Sequence, residues 1–203
     1  MGSVWRGEHT ATGRPIAVKL LDERFAESPS VVERFGREAR AASAIRHEGI
    51  VEVLDLDRTE EGRPFIVMEF LEGQNLGARL ADKGRLSERE LALLADQLLD
   101  ALDAAHARGV VHRDLKPDNI FLHRGRDGRT VVKLLDFGIA RSLHDSRLTN
   151  AGELFGTPQY MAPERVMSID AGPLADLYAL GIIFFEMLTG KLPFQADSLP
   201  GIL

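Results

Sequence analysis

The chain contains no cysteine. Disulfide staples and cysteine-based zinc sites are therefore out of reach, which suits a reducing compartment. Long apolar runs are missing as well. The most apolar late stretch, LYALGIIFFEMLTG at 177–190, is short and carries Glu186, so it reads as a buried helix rather than a membrane span. The opening MGSVWRGEHTATG has no apolar core of a signal peptide. It holds Met1-Gly2, but Arg6 stands where a myristoylation signal needs Ser or Thr. Positive charge is in deficit: 25 Lys and Arg against 31 Asp and Glu give a net charge of −6. That balance argues against a broad nucleic-acid surface. Internal repeats and low-complexity tracts are absent too.

What is present is ordinary globular composition, 203 residues with 44% hydrophobic and 28% charged, enough for a real core in one domain or two lobes. The first part reads as strands. Residues 4–8 and 16–21 flank the polar turn HTATGRP, which predicts a hairpin. Apolar residues at 31, 32, 35, 39, 42 and 45 predict a helix over 29–45, with Ser28 or Ser30 as its cap. IVEVLDLD alternates with a period near two, RTEEGRP turns the chain, and FIVMEF is a further strand. One helix on an antiparallel sheet is the simplest arrangement of residues 1 to about 70.

After FLEGQN, the one linker-like point, the texture becomes helical. Ser87 and Glu90 form a capping box, and Leu91, Leu94, Ala95, Leu98, Leu99 and Leu102 follow on one face, with Gly109 beyond the helix end. VVHRDLKPDNIFLH comes next. Its apolar tails, Val110–Val111 and Ile120–Phe121–Leu122, read as short buried strands around a strongly polar loop. The polar hairpin HRGRDGRT and the strand VVKLL precede a long irregular segment, 136–163. A helix over 174–188, ended by Gly190, closes the pattern.

The polar loop carries a chemical signal. Burying His112, Arg113, Asp114, Lys116, Asp118 and Asn119 without partners would be costly. One carboxylate, one lysine and one amide on a short loop suit phosphoryl transfer: the carboxylate orients a hydroxyl, the lysine neutralises phosphate and the amide oxygen binds magnesium. LLDFGIAR adds a second carboxylate, Asp136, directly after an apolar strand. IAVKLL places Lys19 in an otherwise apolar strand, where it needs an anionic partner, and Glu38 on the following helix is the expected one.

In order along the chain, IAVK (16–19), HRDLKPDN (112–119), DFG (136–138), GTPQYMAPE (156–164) and DLYALGI (176–182) resemble the motif set of eukaryotic-type protein kinases, and more narrowly the bacterial serine/threonine kinases. The resemblance covers nearly the whole chain. It implies an α+β, two-lobed fold: a small antiparallel-sheet lobe with one helix, 1–71, and a larger, mainly helical lobe, 72–203.

The resemblance also assigns roles. Lys19 holds the α- and β-phosphates and pairs with Glu38. Asp114 is the catalytic base, Lys116 contacts the γ-phosphate, and Asn119 and Asp136 ligate Mg2+, or Mn2+ in its place. Adenine stacks between Val4 and Ala17 above and Phe121 below; Met68 lines the back of the pocket, and the backbone of Glu69 to Leu71 offers hydrogen bonds. His112 and Phe137 are internal packing residues. Thr157 positions Asp114 and Lys116. Thr149 is the first candidate for a regulatory phosphosite, then Ser142 and Ser146, with Arg113 as the phosphate's partner.

The implied activity is transfer of the ATP γ-phosphate to Ser or Thr hydroxyls of proteins, the kinase itself included, in the cytoplasm, with no nucleic acid and no membrane segment in this chain. The alternative is a pseudokinase that binds nucleotide or scaffolds. A small-molecule phosphotransferase fits less well, since GTPQYMAPE resembles a protein-substrate platform. At the start, only Gly2 and Val4 match the family's glycine loop. At the other end, the chain stops soon after TGKLPF, where such kinases continue. A domain clipped at both ends is therefore expected, with weak ATP binding and Phe184, Phe185 and Phe194 as an exposed apolar patch.

Overall fold

The computed structural model describes residues 2–125, 127–137, 158–167 and 172–194. Strands β1 (Gly2–Glu8) and β2 (Pro15–Leu21) form the expected hairpin. A single helical turn, α1 (Glu23–Ala26), leads into α2 (Pro29–Ile45). Pro29 at the first turn costs α2 nothing, because that amide would have no intrahelical partner. Ser28 is the N-cap residue but makes no side-chain cap; its hydroxyl lies 3.3 Å from that of Ser30 instead.

Strands β3 (Val53–Arg58) and β4 (Pro64–Glu69) complete an antiparallel sheet in the order β1-β2-β4-β3. Directly opposed residues share a face of such a sheet. Val4, Lys19 and Ile66 are opposed across three strands, and so are Arg6, Ala17 and Met68. Helix α2 packs Phe35 and Ala39 against Leu21 and Ile66, which gives this lobe its own small core.

A second sheet is formed by β5 (Gly73–Asn75), which pairs with β6 (Ile120–Arg124), itself paired with β7 (Thr130–Leu134). Gly73 has φ +140°, and a Cβ there would collide with the Leu122 carbonyl, so only glycine lets β5 approach β6. Helix α3 (Leu76–Lys83) follows with an Asn75 cap that accepts from the Ala78 amide at 2.7 Å. The capping box of α4 (Glu88–His106) is present, with Glu90 N donating to Ser87 Oγ at 3.3 Å and Ser87 N to Glu90 Oε2 at 3.2 Å. A 3-10 turn at Pro117–Asn119 just before β6, another at Pro158–Tyr160, α5 (Pro163–Met167) and α6 (Pro173–Thr189) complete the described elements. The main core joins Leu98 and Leu102 of α4 to Ile183 and Met187 of α6, with Ile120, Leu134 and Phe137 between them.

Some expectations change. Val110–Val111 is irregular, not a strand. Leu99 lies off the buried face of α4 and is 46% exposed, because a 3.6-residue period turns it away from Leu98 and Leu102. Phe184 packs on the core, whereas Phe185 and Phe194 are exposed. No helix among the described residues is long and apolar enough to cross a membrane.

Candidate active site

The polar loop of residues 112–119 lies between the end of α4 and β6, and His112, Asp114 and Asn119 in it are tied down by hydrogen bonds. His112 is fully buried. Its Nε2 lies 2.8 Å from the Leu135 carbonyl, and the Asp114 amide donates to its Nδ1 at 3.3 Å. Those two contacts fit one neutral tautomer, with the proton on Nε2. Burial holds the imidazole pKa below its ordinary value, consistent with that neutral form. The Phe137 ring sits 4.8 Å away, centroid to centroid.

Beneath the loop, the buried carboxylate of Asp176 on α6 accepts from the His112 and Arg113 amides, each at 2.8 Å, and lies 2.8 Å from His106 Nε2. Three donors offset the cost of burying that charge. They hold Arg113 at φ +64°, a left-handed bend that presents Asp114.

Asn119 is buried and donates through Nδ2 to the Asp114 carbonyl at 2.7 Å and to Asp114 Oδ2 at 3.2 Å. That commits its nitrogen and leaves Oδ1 as the acceptor end. The Leu135 amide bonds to the Asn119 carbonyl at 2.9 Å, which brings the next residue, Asp136, beside the loop. Asp136 also has positive φ, +49°, and its Oδ1 takes a 2.6 Å ion pair from Lys19 Nζ. Lys19, Asp114, Asn119 and Asp136 thus converge on one cleft from β2, the loop and the end of β7.

Lys19 corrects one expectation. Its ion partner is Asp136, not Glu38. Glu38 is buried on α2 and has a contact of its own, but no ion pair joins it to Lys19. The physical reason lies in β7: Leu134 exchanges main-chain bonds with Gly49 and Val51, and this draws Asp136 up under the sheet that carries Lys19.

The other expected residues fall as follows. Val4, Ala17 and Met68 share the Lys19 face of the sheet. Among the described residues, no hydrogen bond uses the Leu71 main chain, so its amide is available to a ligand. Phe121 is opposite Lys133 in β6 and half-buried. Lys116 lines a small recess with Asp114, Tyr160, Met161 and Ala175. Ser142, Ser146, Thr149 and Thr157 lie outside the described residues.

Residues 1–201 match the family model for the protein kinase domain. The chain belongs to the protein kinase family. Among curated proteins, the serine/threonine-protein kinase Pkn1 of Myxococcus xanthus is 48% identical over 201 residues, 98% of this chain and 28% of that protein. The serine/threonine-protein kinase pkn3 of the same organism is 40% identical over 206 residues, 99% of this chain and 38% of that protein. PknA of Mycobacterium tuberculosis is 40% identical over 202 residues, 98% of this chain and 46% of that protein. The chain therefore spans less than half the length of each of these relatives.

Two residues of this kinase domain escaped the sequence reading. Asp176 was visible as a lone acid opening an apolar helix. Lys133 was visible as a lone cation in the strand VVKLL, and its buried ammonium forms a 2.6 Å ion pair with Glu69. Both carry the signal that singled out Lys19: a charge in an apolar element requires a partner.

Proposed function

We propose that this domain is a serine/threonine protein kinase that transfers the ATP γ-phosphate to Ser and Thr hydroxyls of proteins, its own included. The convergence of Lys19, Asp114, Asn119 and Asp136 on one cleft carries this reading. The Ser/Thr branch is supported by Lys116, in DLKPDN, and by the names of the relatives. The lobes meet near residues 71–72, since the first sheet ends at Glu69 and the second begins at Gly73.

Asp114 is held by the His112 ring and the Asn119 amide, so it accepts the substrate hydroxyl proton from a fixed position. Lys19 and Lys116 receive phosphate charge. Asn119 Oδ1 and the Asp136 carboxylate are two hard oxygen donors, which would suit Mg2+, or Mn2+. Held there, such a metal would supply positive charge against the phosphates. Adenine sits between Val4 and Ala17 on one side and Phe121 on the other, against Met68 and the Glu69–Leu71 backbone. Dependence on ATP puts the domain on the cytoplasmic side.

Phosphorylation of the 138–157 segment is the regulatory part of this proposal. Arg113 supports it, because its Nε is buried with no hydrogen-bond partner among the described residues. A phosphate on Thr149, Ser142 or Ser146 supplies that partner. Mass spectrometry of active protein checks this, and finding no phosphate between residues 142 and 157 counts against it. The deciding assay for the activity is radiolabelled-ATP autophosphorylation beside Asp114→Asn. Label on Ser and Thr that vanishes in the variant is expected. ATP binding without any transfer would leave a nucleotide-binding module.

A further inference from the structure

Four consecutive residues at the end of β7 reach four different parts of the molecule. Asp136 takes Lys19. Leu135 is bonded to Asn119 and His112. Leu134 exchanges main-chain bonds with Gly49 and Val51, at 2.8 and 3.1 Å. These three contacts build the catalytic half of the cleft. The fourth goes elsewhere: Lys133 Nζ donates to Glu69 Oε1 at 2.6 Å, at the last residue of β4.

We propose that the Lys133–Glu69 ion pair is a positioning couple for the nucleotide: it sets the height of the 69–71 backbone above Phe121 and so tunes affinity for ATP without entering the transfer step. The inference rests on the nucleotide reading of the cleft given above.

Three observations carry it. First, the pair is not a surface pair: the two side chains are 11% and 24% exposed, so the attraction is weakly screened and the geometry is held. Second, Lys133 stands directly opposite Phe121 across β6 and β7, and opposed residues share a face. The cation therefore rises from the floor of the slot and binds at its edge. Third, the Glu69 end is fixed twice on the first lobe. Its amide donates to the Glu52 carbonyl at 3.0 Å, and the oxygen that meets Lys133 also accepts the Glu52 amide at 2.9 Å. A ligand held between floor and edge senses their spacing, and small misplacements of binding groups are costly. Asp136 is held independently by Lys19, so losing Lys133 leaves the reacting groups in place.

The test compares the unsubstituted chain with Lys133→Met, Lys133→Arg and Glu69→Gln. ATP binding with Mg2+ is measured by titration calorimetry, melting by circular dichroism, and KM and kcat by autophosphorylation. Lys133→Met and Glu69→Gln are each expected to weaken ATP binding about tenfold, or ~1.4 kcal/mol. For Lys133→Met, the loss falls on KM, with kcat at saturating ATP within about twofold of normal. Lys133→Arg restores affinity. Lower melting temperatures with unchanged ATP affinity would reduce the pair to a plain strut and overturn the proposal. So would a Lys133→Arg variant as weak as Lys133→Met. Should Lys133→Met not fold, the nearly isosteric Glu69→Gln carries the comparison. Absence of ATP binding in the unsubstituted chain is a different outcome: it removes the nucleotide reading itself, and this inference with it.

Discussion

Lys19 and Asp136 neutralise each other at 2.6 Å, the lysine buried and the carboxylate side chain 46% exposed. Lys19→Met replaces the charge with an apolar chain in an apolar strand. Asp136→Ala removes a half-solvated group. Each is expected to lower phosphotransfer at least a hundredfold, roughly the effect of removing one preorganised charge from such a site, while the circular dichroism spectrum stays that of the folded chain. Activity retained in either variant would refute the assigned roles. His112 makes a second prediction at this scale. Burial lowers its pKa from the ordinary 6.5, so in the window just below 6.5 the unfolded chain binds a proton that the folded chain refuses. The stability this contributes is complete above the unfolded value and is lost as pH falls toward the folded one. Protonation at Nδ1 also ends the bond from the Asp114 amide. The melting temperature should therefore drop between about pH 7.5 and about pH 5.5, and His112→Phe should flatten that slope. Glu90, also shifted downward, acts only below its ordinary value of 4.5 and leaves this window clear.

Helix α6 organises the site from below, and two of its acids can be tested. Tyr160 donates to Glu186 Oε2 at 2.6 Å, tying the 158–160 turn to α6. Burial first, and then that hydrogen bond, push the phenol pKa well above the usual tyrosine range. Tyr160→Phe leaves the carboxylate without its donor and should cost about 1–2 kcal/mol in urea denaturation. Asp176→Ala strips two loop amides and His106 of their acceptor and should cost about 3–5 kcal/mol, with activity lost along with the loop's shape. Elements of this kind were only partly legible beforehand. The capping box of α4, the apolar period of α2 and the glycine after α6 are local signals, and local signals survive folding. Helix α3 was missed because its sequence, LGARLADK, is too short to display a period. Lys19 and Asp136 stood out as charges in or directly after an apolar strand, and Asp114 and Asn119 as members of a strongly polar loop between apolar tails. Which anion meets which cation was not legible. Lys19 and Asp136 are 117 residues apart, and Lys133 and Glu69 are 64 apart, so their pairing is decided by how two sheets meet.

At the scale of the whole molecule, the lobes are joined where the backbone of residues 49–51 meets Leu134 and where Lys133 meets Glu69. A nucleotide gripped by both sides stabilises them together, by an amount that grows with ligand concentration over Kd. Saturating ATP with Mg2+ should raise a single melting transition, and chelating the metal should reverse most of that rise. Two transitions, with only one moved by ATP, would show that the ligand does not bridge the lobes. The end of β7 has a further consequence, for the order in which the molecule is built. Its partners lie at residues 19, 49, 51, 69, 112 and 119, so its hydrogen bonds close loops of very different lengths, and long loops close late. A chain emerging from the ribosome holds the whole first sheet before it holds Asp136. Lys19 must wait in that sheet without its anion. The cleft is then among the last parts to set, and the Leu134 amide, sealed between both lobes, should exchange its hydrogen with solvent only when the entire domain opens.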